Sequence, residues 1–149
     1  MKLTSLGTRT KALAVIGTVT AATAVLGAAG PAQAASAASY AAAVCGSGFS
    51  PDSNGVFGLG GGTIYVSYNG STDCAVNIKT QNVGTPSETY VYLNGPNASW
   101  GGNADNGSWD GGSYSYYAGP VYTYAPHECI YWGGGDGFIS DDWGPDFCN

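Results

Sequence analysis

Positive charge is scarce in this chain. Lys and Arg together number 4 in 149 residues, against 10 Asp and Glu, and histidine occurs once. A formal net charge of −6 excludes the electrostatic footprint that holds proteins to phosphate backbones. The chain also lacks a P-loop, a dinucleotide-binding Gly fingerprint and a G-x-S-x-G nucleophile elbow, so nucleotide-dependent and α/β-hydrolase chemistry have no foothold. Sustained 3.6-residue apolar periodicity is missing from Cys45 onward, which excludes a helical bundle. Closely spaced Cys pairs are missing too: the four cysteines are separated by 29, 55 and 19 positions. Structural zinc sites use short C-x2-4-C pairs, so no metal centre is expected from them.

What is present begins with a leader. Lys2, Arg9 and Lys11 precede an uncharged Ala- and Val-rich run from Ala12 to Gly30. Pro31 breaks the run, and Ala32-Gln33-Ala34 forms a small-x-small cleavage site. Residues 1–34 read as a secretory signal peptide cleaved after Ala34. Glycines and threonines dilute the run and no basic cluster follows it, which argues against a membrane anchor. The leader takes three of the four basic residues. The remainder keeps Lys79 alone against ten carboxylates, a net charge of −9. Those carboxylates must be solvated, hydrogen-bonded to backbone N–H groups, or matched by an external cation.

Residues 35–44 are low in complexity and read as a flexible tail, so residues 45–149 form one domain. Its punctuation is regular, with Gly, Asn, Ser or Pro about every ten residues. Between the breaks run Tyr-, Val-, Ile- and Thr-rich alternations: 63–68, 74–79, 88–93, 112–117, 121–124, 128–132 and a short 137–140. In 63–68, Ile64, Val66 and Tyr68 share a face. In 74–79, Cys74, Val76 and Ile78 share one, with Asn77 and Lys79 opposite. Residues 69–73 form a hairpin loop, Ala118-Gly119-Pro120 a bend, and 94–112 and 133–146 two loose stretches. The expected architecture is all-β, a small antiparallel sandwich or barrel. Cys45, Cys74, Cys129 and Cys148, an even count in an exported domain, are expected as two disulfides. Of the three pairings, Cys45–Cys74 with Cys129–Cys148 closes the shortest loops and is favoured.

The order of motifs has a family resemblance. Cys45-Gly-Ser-Gly-Phe49 opens the domain, and Ile64-Tyr-Val-Ser-Tyr-Asn69 precedes the second cysteine. Ser115-Tyr-Tyr-Ala-Gly-Pro-Val121 leads to Cys129-Ile-Tyr-Trp-Gly-Gly134 and a near-terminal Cys148. This resembles the spore-associated protein A family of filamentous actinobacteria. The resemblance covers nearly all of the exported chain. It implies a small secreted protein of the spore or cell surface, and it supplies no catalytic residues.

The residues themselves agree with a non-enzymatic role. His127 lies in a turn-like Ala125-Pro126-His127-Glu128, with no triad signature around it. Asp105, Asp110, Asp136, Asp141, Asp142 and Asp146 lie in Gly-rich stretches, where Asp serves as a turn former. Calcium is the other use for such oxygens. Position six of a loop starting at Asn103 is Ser108 and position twelve is Tyr114, so the EF-hand pattern is not kept. No cofactor is expected. Trp100 and Trp109 carry the sharper signal, because they lie among Gly, Asn and Asp rather than in an apolar run. A ring face stacks on sugar C–H groups while neighbouring polar side chains bond hydroxyls. The alternative to a purely structural surface protein is therefore a carbohydrate-binding module using Trp100, Trp109, Asn103 and Asp105. The expected partners are polymers of the spore or cell wall, with no nucleic acid and no membrane after leader removal.

Overall fold

The computed structural model describes residues 31–96, 107–137 and 140–148. These form a helix, α1 (Pro31–Cys45), and strands β1 (Ser50–Gly58), β2 (Gly62–Tyr68), β3 (Thr72–Lys79), β4 (Ser87–Asn94), β5 (Gly107–Tyr114), β6 (Tyr117–Tyr124), β7 (Ile130–Gly135) and β8 (Ser140–Asp146). They make two four-stranded sheets in the orders β1-β2-β3-β6 and β5-β4-β7-β8. Every strand pair is antiparallel. The sheets share one core, with Ile64, Val66, Ala75 and Val121 from the first against Val91, Leu93, Ile130 and Trp132 from the second. The fold is thus an all-β sandwich; the sheets do not close into a barrel.

Aromatic stacking fills one end of that core. Trp132 is fully buried and stacks on Trp143 with ring centroids 4.5 Å apart and an interplanar angle of 16°. Phe57 tilts against it at 3.8 Å. The Trp132 indole N–H donates to Asp146 Oδ2 at 3.2 Å, so the largest core side chain keeps its polar atom partnered.

The expected strands 63–68, 74–79, 88–93, 121–124 and 128–132 form with shifted ends, in β2, β3, β4, β6 and β7. The expected strand 112–117 does not form: β5 ends at Tyr114, Ser115 and Tyr116 turn the chain, and β6 begins at Tyr117. Of 137–140, Gly137 lies outside any strand, Ser140 opens β8, and 138–139 lie outside the described residues. Two more appear at sheet edges. β1 contains Pro51 and an Asx turn in which the Asn54 amide donates to Asp52 Oδ1 at 2.8 Å. Its pairing with β2 slips between Pro51 and Val56. β8 contains Pro145 and two successive aspartates. Proline and turn residues are tolerated at an edge, where one row of backbone groups needs no ladder partner. That tolerance is why composition gives no strand signal at β1 and reads the β8 segment, within 133–146, as loose. β5 likewise occupies part of the stretch expected to be irregular. The expected bend at 118–120 lies inside β6, opposite a register irregularity between Ala75 and Asn77.

The tail expectation is corrected. Residues 35–44 belong to α1, and Ala38, Ala41, Ala42 and Cys45 are buried. Alanine has the strongest helix propensity, and its small side chain lets the helix lie close to a sheet. α1 covers the outer face of the first sheet through Tyr65, Cys74 and Val76. The Cys45–Cys74 disulfide pins it there. Gly46, at φ +114°, ends it, its amide donating to Ala42 O at 3.2 Å. The Tyr122 hydroxyl donates to Cys45 O at 2.9 Å. The second disulfide joins Cys129 and Cys148, so the pairing that closes the two short loops is the one formed.

The helix explains an inversion in β3. Its apolar positions Cys74 and Val76 face α1, while the polar ones face the second sheet. Asn77 is fully buried and its Nδ2 donates to Tyr90 O and Gly135 O, both at 3.0 Å. Lys79 is buried as well, and its ammonium donates to Thr85 O (2.6 Å), Ser87 Oγ (2.7 Å) and Tyr114 O (3.0 Å). Lys79 thus ties the two sheets together.

Candidate functional site

The outer face of the second sheet gathers Tyr90, Tyr92 and Trp109. In β4, Val91 and Leu93 point into the core, so Glu88, Tyr90 and Tyr92 point out. Register extends these positions across the sheet. Tyr92 lies opposite Trp109 on β5 and Gly133 on β7, and Gly133 lies opposite Asp142 on β8. Tyr90 lies opposite Gly111 and Gly135. Both tyrosines are therefore flanked by glycine.

Those glycines let the rings lie against the backbone. A Cβ at Gly135 would sit 2.5 Å from the Tyr90 ring, and one at Gly111 would sit 2.5 Å from Trp109 Cζ2. A Cβ at Gly133 would meet the Tyr92 ring and hydroxyl at 2.6–2.7 Å. Any side chain there would prise the rings upward. Tyr92 is buried under this arrangement and donates its hydroxyl to Asp142 Oδ1. Burial, with Asp142 beside it, holds the Tyr92 phenol well above the ordinary range, so it stays a donor. Trp109 is 55% exposed and Tyr90 half-buried. With Glu88, Gly111, Gly112 and Ser113 they line an open depression of about 450 Å³. An exposed indole packed against glycine, with a carboxylate and a hydroxyl at its border, can stack on a sugar ring and bond its hydroxyls.

The sequence-derived residues divide as follows. Trp109 lies on this face, on β5 rather than in a loop. Trp100, Asn103 and Asp105 lie outside the described residues. Tyr90 and Glu88 are site residues that sequence reasoning misses; the signal that could find them is the Tyr90-x-Tyr92 alternation, whose outward set lies beside the Trp109 and Gly111 strand. Trp132 and Trp143 belong to the core.

The loop acids mostly serve the fold. Asp110 accepts from the Tyr114 hydroxyl (2.7 Å) and the Gly119 amide (2.6 Å). Its carboxylate bridges β5 to the neighbouring sheet at β6 and raises the Tyr114 phenol pKa. Asp136 is buried and accepts from the Gly61 amide. His127 is exposed in a left-handed turn, φ +59°. Among the described residues, no three His, Cys, Asp or Glu side chains gather as metal ligands would. A second cavity of about 170 Å³ lies between Gly61, Lys79, Gln81 and Asp136. There the three Lys79 bonds above already engage all the ammonium protons.

Comparison with known proteins finds one curated relative by sequence. Spore-associated protein A of Streptomyces coelicolor is 37% identical over 95 residues, a match spanning 61% of this chain and 55% of that protein. The chain is related to spore-associated protein A. The aligned part is thus about half of the length of spore-associated protein A. No protein-family model matches the chain, and no solved structure matches it. Among the described residues, no helix is long and apolar enough to cross a membrane.

Proposed function

We propose that this protein is an exported, non-enzymatic component of the spore or cell-wall surface, attached to surface polysaccharide through the Trp109–Tyr90 face. The exposed indole of Trp109, laid on Gly111 beside an open depression, is the observation that carries the reading. Stable folding does not require that ring to be solvent-facing, and a core-building tryptophan is elsewhere fully enclosed, as Trp132 is. The kinship with spore-associated protein A supports the location.

Export is supported by the sequence of the leader and by two disulfides, which persist in oxidising compartments. Cleavage after Ala34 retains the buried positions Ala38, Ala41, Ala42 and Cys45 of α1. A non-enzymatic role is supported by the use of carboxylates as structural acceptors at Asp110, Asp136, Asp142 and Asp146. The test is fractionation of the producing culture with an antibody to the protein, followed by pull-down on insoluble chitin, cellulose and peptidoglycan. Recovery with spores or walls, and retention on at least one polymer that Trp109→Ala abolishes, is expected. Recovery in the cytosol, or retention on none of the polymers, overturns the proposal.

A further inference from the structure

The depression beside Trp109 has a charge as well as a shape. Glu88 lines it, two residues before Tyr90 on the same outward row of β4. Residues two apart on a strand are separated by roughly 6.6 Å. Trp109 leans over Gly111, which pairs with Tyr90, so its ring is brought toward the Glu88 end of the face. Asp142 supplies a second carboxylate beside Tyr92 on the same face. Lys79, the one Lys or Arg after residue 34, is buried on the inner side of the other sheet and fully bonded. No lysine or arginine therefore offsets these carboxylates at the surface, and the field of the whole exported chain, net −9, has the same sign.

We infer that the sugar this face selects is amine-bearing: a glucosamine-type polymer whose free ammonium groups meet Glu88 while the pyranose ring stacks on Trp109. This deepens the proposed function and rests on it. The same field disfavours anionic wall polymers, since a phosphate or uronate at the depression would meet Glu88 with no cation to bind it. A neutral sugar would gain the stacking and lose the charge pairing. The attraction acts across a short range at ordinary salt, because charges separated by more than a Debye length of about 10 Å at 0.1 M are screened.

The experiment is calorimetric titration of the oxidised, leader-free chain with hexamers of β-1,4-linked glucosamine, N-acetylglucosamine and glucose, at slightly acidic pH so that the amines are charged. The glucosamine hexamer is expected to bind about fivefold tighter than the others at low salt, the upper yield of one exposed ion pair. That advantage should shrink in high salt. Glu88→Gln should bring the glucosamine hexamer to the level of the acetylated one, and Trp109→Ala should abolish binding of all three without moving the melting temperature. Equal affinity for all three hexamers, lost in Trp109→Ala, would overturn the amine selectivity and leave the aromatic face standing. Glucosamine binding that Trp109→Ala leaves unchanged would mean diffuse charge attraction and overturn the site. Binding of none would overturn both readings.

Discussion

Asp73 offers a quantitative test of the sandwich. It lies on β3, 2% exposed, opposite Tyr68 on β2 and Thr123 on β6. Burial is the main reason its carboxyl pKa is raised from 3.8 to about 7, and the nearby Asp52 carboxylate adds to it. In the unfolded chain the group returns to its ordinary value. Between these limits the folded state binds the extra proton, so stability falls as pH rises through the interval and is flat for this group above it. Three pH units at about 1.4 kcal/mol each set a ceiling near 4 kcal/mol. Asp73→Asn removes the ionisation. We expect the variant to lose the stability decline between about pH 4 and about pH 7. At about pH 8 it should exceed the parent by about 2 kcal/mol, below the ceiling because the amide still carries polar atoms into the site. Urea unfolding across that pH range, with disulfides intact, measures both. Parallel profiles for parent and variant would show that Asp73 does not titrate in the interval and would refute the burial argument.

Other consequences are equally direct. Lys79→Met leaves three part-buried acceptors without their ammonium and should cost about 1–3 kcal/mol in denaturant unfolding. The double variant Cys45→Ser, Cys74→Ser should lose about 3–4 kcal/mol from the released loop. Its α1 amides should exchange faster while those of β2 and β3 stay protected, as hydrogen exchange would read. Gly135→Ala places a methyl against the Tyr90 ring and should destabilise by about 1–3 kcal/mol in thermal melts, with weakened binding at the Trp109 face.

The parts of the fold legible in sequence are those where alternation and burial coincide. Ile64 and Val66, and Val91 and Leu93, announce strands because one face of each is apolar and enclosed. β1 and β8 give no such signal, since edge strands need neither alternation nor a proline-free backbone. The helix was hidden for a different reason. Ala-rich sequence carries propensity but little hydrophobic contrast, and its docking depends on Tyr65, Cys74 and Val76, far away in the chain. β3 alternates as read, yet its polar side faces inward, because Asn77 and Lys79 find carbonyls on β4, β5 and β7 that only tertiary structure supplies. Of the candidate site, Trp109 was legible as an aromatic outside an apolar run. Its partnership with Tyr90 and Glu88 was not, because strand register decides it.

Attachment by the Trp109 face is tested most directly by sedimentation with washed spores of the producing organism. The wild-type chain should pellet with them, and Trp109→Ala, equally folded by circular dichroism, should stay in the supernatant. Equal pelleting of both proteins, or of neither, would contradict the account.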